Sequence, residues 1–257
     1  MKHISFSEMK IWAECPFKHK LMYIERIKKF VGNEFTAFGK AIHTLCEHAL
    51  VGTVIESDFE EFFDENFENE IIALKDQELN LKLVEQMSLQ ARNIYPLILP
   101  SLQDTFGDYE VFSTEERLYE DIEDFDVKPY KFKGFIDLVI KTKDGKYHII
   151  DWKSCSWGWD AKKRTDKVLT YQLTLYKKHF CTKHKVDPNK VETYFALLKR
   201  TAKRDNVEIF RVTSGKRKME NASKLLTKAL HNICKGNHIK NRMSCDRCEF
   251  RKTKNCK

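Results

Sequence analysis

The segment Gly134-Phe-Ile-Asp137-Leu-Val-Ile140, followed after a polar turn by His148-Ile-Ile-Asp151-Trp-Lys153-Ser154, decides how this chain is read. Both halves are β-branched and aromatic, and Lys143-Asp144-Gly145 between them offers a hairpin turn. Each half carries a carboxylate among apolar neighbours, where an uncompensated charge costs roughly several kcal/mol. Residues two apart on a strand share a face, so Asp151 and Lys153 lie together and Trp152 lies opposite. A two-residue turn at Asp144-Gly145 would set Asp137 across from Trp152. A three-residue loop with Gly145 in the left-handed bulge position pairs Thr142 with Lys146 and sets Asp137 directly opposite Asp151. The bulged form is expected. Two acids and a lysine on one sheet face would hold a hard divalent cation such as Mg²⁺ or Mn²⁺ through oxygen. The competing reading is an edge salt bridge between Asp151 and Lys153, with Asp137 capping a bend.

Outward from this hairpin the chain reads as α/β in one domain, without internal repeats or Gly/Ser linkers. Ser5 or Ser7 caps a first helix that ends at Cys15-Pro16. A second helix over 36–50 carries Phe38, Ile42, Leu45 and Ala49 on one stripe. Two more helical stretches are expected near 57–75 and 78–100, then strands over 110–120, 130–142 and 146–154. Thr165 or Asp166 caps a helix to about His179. Strands near 191–198 and 206–212 and a helix near 217–234 complete the pattern.

The 257 residues carry a net charge of +8, unevenly spread. Residues 56–126 hold 21 acidic and 4 basic side chains, a local −17, so the remainder carries +25. A polyanionic partner would be confined to that remainder, leaving the acidic helices to face away or meet a protein. No apolar run approaches the ~20 residues of a membrane span, and the polar start MKHISFSEMKIWAEC does not suit a signal peptide. Residence inside a cell, with no membrane partner, is therefore expected. There, eight cysteines favour thiols or metal ligands over bridges.

The strings GFID, IIDWKS and Gln172-Leu-Thr-Leu-Tyr176 resemble, in order, the G-x-x-D … (D/E)-x-K … Q-x-x-x-Y signature of RecB-type PD-(D/E)XK nucleases. Upstream, Gly39-Lys-Ala-Ile-His43 is similar to that family's helical G-x-x-x-H, and Glu116 occupies the place of an acid in the preceding strand. The resemblance implies a restriction-endonuclease-like core, a central mixed sheet flanked by helices. It implies metal ligation by His43, Asp137, Asp151 and the Trp152 backbone carbonyl. Lys153 would orient water and stabilise charge on the phosphate, with Gln172, Tyr176 and Glu116 completing the catalytic set. The alternative for Gln172 is a hydrogen-bonded core residue.

The tail reads Cys245-Asp-Arg-Cys248, then Cys256 after seven intervening residues. Cys-x-x-Cys lets two thiolates reach one centre, and a tetrahedral site needs more. Cys15, within ISFSEMKIWAECPFK, resembles the opening of iron–sulfur nucleases related to AddB and the CRISPR adaptation exonucleases. That resemblance implies a [4Fe–4S] cluster on Cys15, Cys245, Cys248 and Cys256, with zinc the alternative. The domain then divides into cluster-binding ends (1–35 and 235–257), a helical region (36–105) and a nuclease core (106–234). Joining residue 15 to the tail would restrict the unfolded chain by roughly several kcal/mol.

After Lys153 come Trp157 and Trp159, then Lys162, Lys163 and Arg164, an interleaving that suits single-stranded DNA, although such tryptophans can also pack on the core. The resulting expectation is a metal-dependent DNA exonuclease acting on single-stranded or end-bearing DNA in recombination, repair or phage and CRISPR DNA processing. No ATP-binding Walker sequence occurs, so any helicase or recombination partner would be a separate chain. A non-catalytic iron–sulfur or zinc DNA-binding accessory protein is the alternative. Intact Asp137, Asp151 and Lys153 argue against it.

Overall fold

The computed structural model describes residues 2–27, 31–125, 127 and 129–257. A short strand, β1 (Lys2–Ser5), leads through the cap residue Ser5, whose Oγ accepts from the Glu8 N–H, into α1 (Phe6–Glu14). Pro16 opens α2 (Pro16–His19) at the helical position where a missing N–H costs nothing. Asn33 and Thr36 form a reciprocal capping box for α3 (Glu34–Leu50). Then come α4 (Phe59–Ile72), α5 (Leu81–Ala91) and α6 (Ile98–Phe106). The helix expected over 78–100 is therefore two helices. Pro96, which cannot donate to a helical ladder, sits in a 3₁₀ turn between them.

The meander follows as β2 (Tyr109–Asp121), β3 (Tyr130–Thr142) and β4 (Tyr147–Cys155). After it come α7 (Ala161–Arg164) and α8 (Lys167–His184), the latter capped by Asp166. The chain continues through β5 (Val191–Lys199), β6 (Val207–Val212) and α9 (Lys216–Lys235). Helix α8 outlasts its expected end at His179 because no breaker intervenes before Lys185, which takes the left-handed conformation.

Among the described residues six strands make one mixed sheet, with β3 at its centre. One edge of β3 pairs with β2 along nearly its whole length. The other edge is shared end to end. Parallel β1 takes residues 130–133 and antiparallel β4 takes residues 138–141. Residues 134–137 are left between them with no strand neighbour on that side. Strand β5 then adds parallel to β4 after the α8 crossover, and β6 closes the far edge. The β1 contribution did not follow from pattern, since four residues are too few to read.

Helices α1, α8 and α9 cover one face, meeting Phe132, Ile136, Val139, Ile149 and Phe195; helices α3–α6 cover the other, meeting Leu138, Ile140, Ile150 and Trp152. Along β3 the two-residue alternation reverses at one point. Ile136 belongs to the first core and Leu138 to the second. Asp137 lies between them, and Glu115, facing it on β2, has a left-handed backbone (φ 46°). The ribbon turns over where the sheet splits.

The split also fixes a glycine. A Cβ on Gly134 would stand 2.7 Å from Tyr176 Cε1, so the α8 tyrosine occupies space that only glycine leaves. Gly134→Ala is expected to destabilise the protein by about 1–3 kcal/mol in urea unfolding, and most of that loss should vanish in the Tyr176→Ala background. Additive losses would show that the contact does not constrain this site.

Candidate active site

The β3–β4 hairpin uses the three-residue loop. Thr142 N–H donates to the Lys146 carbonyl (3.0 Å), Gly145 N–H returns to Thr142 (2.9 Å), and Gly145 has φ 78°. The ladder runs from Lys141↔Tyr147 to Leu138↔Ile150, so the next step brings Asp137 level with Asp151. There the ladder stops. Asp137 Oδ2 accepts the Trp152 N–H at 2.7 Å, replacing a strand-to-strand bond with a side-chain one. Around this point Asp151 is ion-paired through Oδ2 to Lys153, and His43 Nδ1 comes within 3.7 Å of Asp137 Oδ2. His43 reaches the split because Gly39, one turn earlier on α3, lets the helix approach β4; a Cβ there would lie 3.2 Å from Ser154 Oγ.

Burial dominates the electrostatics. It drives the carboxyls of Asp137 and Asp151 above their ordinary values, an effect the Lys153 ammonium only partly offsets. Burial also lowers Lys153, but the two carboxylates outweigh it and hold the amine charged. His43 is lowered to about 4, first by burial and then by Lys153, so its imidazole is neutral near pH 7. Tyr176 is pushed up by burial and by the charge of Asp151, and its hydroxyl accepts from Gln172 Nε2 at 3.2 Å. Gln172 and Tyr176 therefore act on each other at the rim of the acidic centre.

Glu116 does not join this group. Its carboxylate is held by Lys183 (2.5 Å) and His184 (2.8 Å) of α8. The acid beside the centre is Glu115, level with Asp137 across the ladder. A one-residue step on a strand reverses the face, which is why the choice between adjacent glutamates mattered. Partial burial, then the charges of Asp137, Glu47 and Asp151, push Glu115 up to about 7, although one side of it stays open to solvent. Glu47 was also missed. It lies one turn beyond His43 on α3, and helical spacing alone could have found it.

The expected DNA-binding set divides in the same way. Trp157 is 78% exposed, and Lys162 and Lys163 are exposed. Trp159 is a core residue, 8% exposed and packed edge-on against Phe195 with ring centres 5.1 Å apart, so it offers no free face for a base. Arg164 is tied to Glu208 at 2.6 Å and to the Trp159 carbonyl at 2.9 Å, which leaves its guanidinium engaged within the protein.

At the other end of the molecule, Cys15, Cys245, Cys248 and Cys256 line one cavity of about 350 Å³ together with Lys18 and Lys240. None of the eight cysteines is in a disulfide. Asn241 N–H donates to Cys15 Sγ at 3.3 Å, and Phe17 N–H bonds the Ile239 carbonyl at 3.2 Å, tying the N-terminal helices to the tail. Among the described residues no three His, Cys, Asp or Glu side chains already stand at ligating distance of a common point. The donor chemistry nevertheless fits in both places. Two carboxyls face one ammonium at the split and Glu115 adds a third negative charge beside them, a deficit of positive charge, while four soft thiols and two lysines line the cavity.

The PD-(D/E)XK nuclease superfamily model matches residues 3–253, and the chain belongs to that superfamily. Of solved structures, one described as a "Putative exonuclease" from Eubacterium rectale overlays with TM-score 0.59 at 12% identity, covering 96% of this chain and 86% of that one. A second, described as SSO0001, overlays at TM-score 0.39 and 16% identity over 95% of this chain and 93% of that one. The first supports the fold; the second overlay is too loose to argue from. No curated protein matches the sequence. Among the described residues no helix is long and apolar enough to cross a membrane.

Carboxyls whose folded values lie above their unfolded ones contribute stability that is complete below the unfolded value, near pH 4, and is lost as pH rises through the folded value. Metal-free wild type should therefore lose thermal stability relative to Asp137→Asn between about pH 4 and about pH 6, levelling off above that, and Mn²⁺ should restore more at the upper end. A gap between the two proteins that stays constant over this range would contradict the burial account.

Proposed function

We propose that this protein is a metal-dependent DNA nuclease, an exonuclease that acts on single-stranded or end-bearing DNA. The observation that carries the reading is the meeting of Asp137, Asp151, Lys153 and His43 where β3 and β4 part. Hydrolysis forms one P–O bond to water and breaks another, through a transition state richer in negative charge than the diester. A divalent cation held by Asp137, Asp151, His43 and the Trp152 carbonyl would supply activated water and charge neutralisation. Lys153 keeps its proton and lies against Asp151, so it can orient the water and stabilise charge on the phosphate oxygens. Asp137 is fixed by the Trp152 N–H and needs no reorganisation to present its second oxygen. Neutral His43 offers a lone pair at working pH. Glu115 is placed to complete the acidic side, where Glu116 is not.

Digestion of end-labelled single-stranded, duplex and circular DNA with Mg²⁺ or Mn²⁺ tests this. Lys153→Ala should abolish cutting, Glu115→Gln should reduce it at least roughly ten-fold, and Glu116→Gln should leave it near wild type. Circular DNA should resist. Activity retained in Lys153→Ala overturns the assignment, and equal cutting of circular DNA overturns the exonuclease reading.

We further propose that the four cysteines hold a [4Fe–4S] cluster that joins the chain ends. Four thiols from opposite termini around one cavity are what such a staple requires, and nearby lysines suit its thiolate charge. Anaerobically purified protein should contain iron and acid-labile sulfide with broad visible absorbance, and Cys248→Ser should lose the colour and melt earlier. Stoichiometric zinc without sulfide would replace the cluster with the zinc alternative.

A further inference from the structure

Two exposed aromatic rings, Trp157 and Phe35, lie on segments next to the catalytic strand and are linked through Arg200. Strand β4 ends at Cys155, two residues after Lys153, and Ser156 and Trp157 follow it in a bend. Four residues of chain thus hold Trp157 no more than about 14 Å from Lys153. On the neighbouring helix, Phe35 precedes Gly39 by one turn and His43 by two, and it is 48% exposed. Between the rings sits Arg200. Its backbone N–H donates to the Cys155 carbonyl at 2.9 Å, its Nη1 to Gln90 Oε1 at 2.9 Å and its Nη2 towards Ser156 Oγ at 3.4 Å. The guanidinium lies 5.1 Å from the centre of the Phe35 ring. Arg200 is 6% exposed and pinned on three sides, so it backs Phe35 as a fixed cation without itself reaching solvent. The charge of Lys163 acts on Cys155 at the end of β4, and Lys162, Lys203 and Arg204 are exposed on the segments that follow β4 and β5, all within the basic part of the chain.

We propose that Phe35 and Trp157 form a stacking platform for unpaired bases of the DNA strand entering the nuclease centre, so that the substrate must be single-stranded for its first few nucleotides beside the scissile phosphate. This rests on the nuclease reading of Asp137, Asp151 and Lys153. A solvent-exposed phenyl face costs apolar hydration unless something covers it, and nucleic acid strands supply flat π-faces whatever their sequence. Duplex bases are stacked on each other and present no free face, so the platform discriminates against paired DNA by geometry. The basic rim attracts the backbone without sequence preference. Phe35 also shields Arg200, and a purely structural role for the ring would follow from that contact alone.

The two roles separate in binding. In the Lys153→Ala background with Mg²⁺ present, fluorescence anisotropy with labelled oligo(dT) and with a blunt duplex of equal length reports affinity without cutting. Trp157→Ala, and Phe35→Leu, which keeps an apolar cover over Arg200, should each weaken oligo(dT) binding about five-fold or more. Melting temperature and duplex affinity should stay at the level of the Lys153→Ala parent. Phe35→Trp should restore binding. Phe35→Leu that melts earlier yet binds oligo(dT) as tightly as the parent assigns the ring to structure and overturns the proposal, as does an equal loss of duplex and single-strand affinity. If Lys153→Ala still digests DNA, the nuclease reading fails on its own. If it is inert and the aromatic variants bind as their parent does, only the platform fails.

Discussion

One hydrogen bond organises the molecule. Where β3 and β4 would make their next backbone pair, the Asp137 carboxylate takes the Trp152 N–H instead. The ladder cannot continue past that point, so the strands part, and the edge of β3 between β1 and β4 stays open. Into this opening α3 brings His43 and α8 brings Tyr176, each admitted by a glycine that leaves room. Satisfying a backbone donor with a side chain turns a regular hairpin into a cleft without leaving a buried N–H orphaned.

Charge balance gives the cleft its character. Asp137 and Asp151 share a single ammonium, Glu115 adds its charge to theirs, and burial raises all three carboxyls. Such an arrangement is poorly stabilised by the protein alone, and the divalent ion proposed above would relieve it. The strain at Glu115, a non-glycine residue in the left-handed region, belongs to the same place. The membership of the chain in the PD-(D/E)XK nuclease superfamily gives this local instability a chemical purpose.

Much of this was legible in advance. The Asp-Gly pair and the loop length set the hairpin register, because turn chemistry acts over a few residues and answers to nothing distant. Helix starts at Ser5 and Asp166 follow from caps that bond within one turn. The β2 acid next to Asp137 is Glu115, one residue before the expected Glu116. Register shifts between Val111 and Ser113, and with Glu115 left-handed the alternation that would fix its face cannot be counted along the strand. Trp159 and Arg164 likewise look like ligand-binding residues in a string of aromatics and cations. Their partners, Phe195 and Glu208, lie on strands more than thirty residues away.

The sequence by itself determined what depends on neighbours along the chain: the α/β order, the hairpin, the spacing of Asp151 and Lys153, and the ordered motifs. Only the tertiary structure decided which edge of β3 stays open, that Glu115 and not Glu116 faces Asp137, that Phe35 stands with Arg200 near Trp157, and that Cys15 meets the tail around one cavity. Those outcomes depend on which segments become neighbours after the chain closes on itself. A residue's identity records what it can bond, and the fold selects which partner comes within reach.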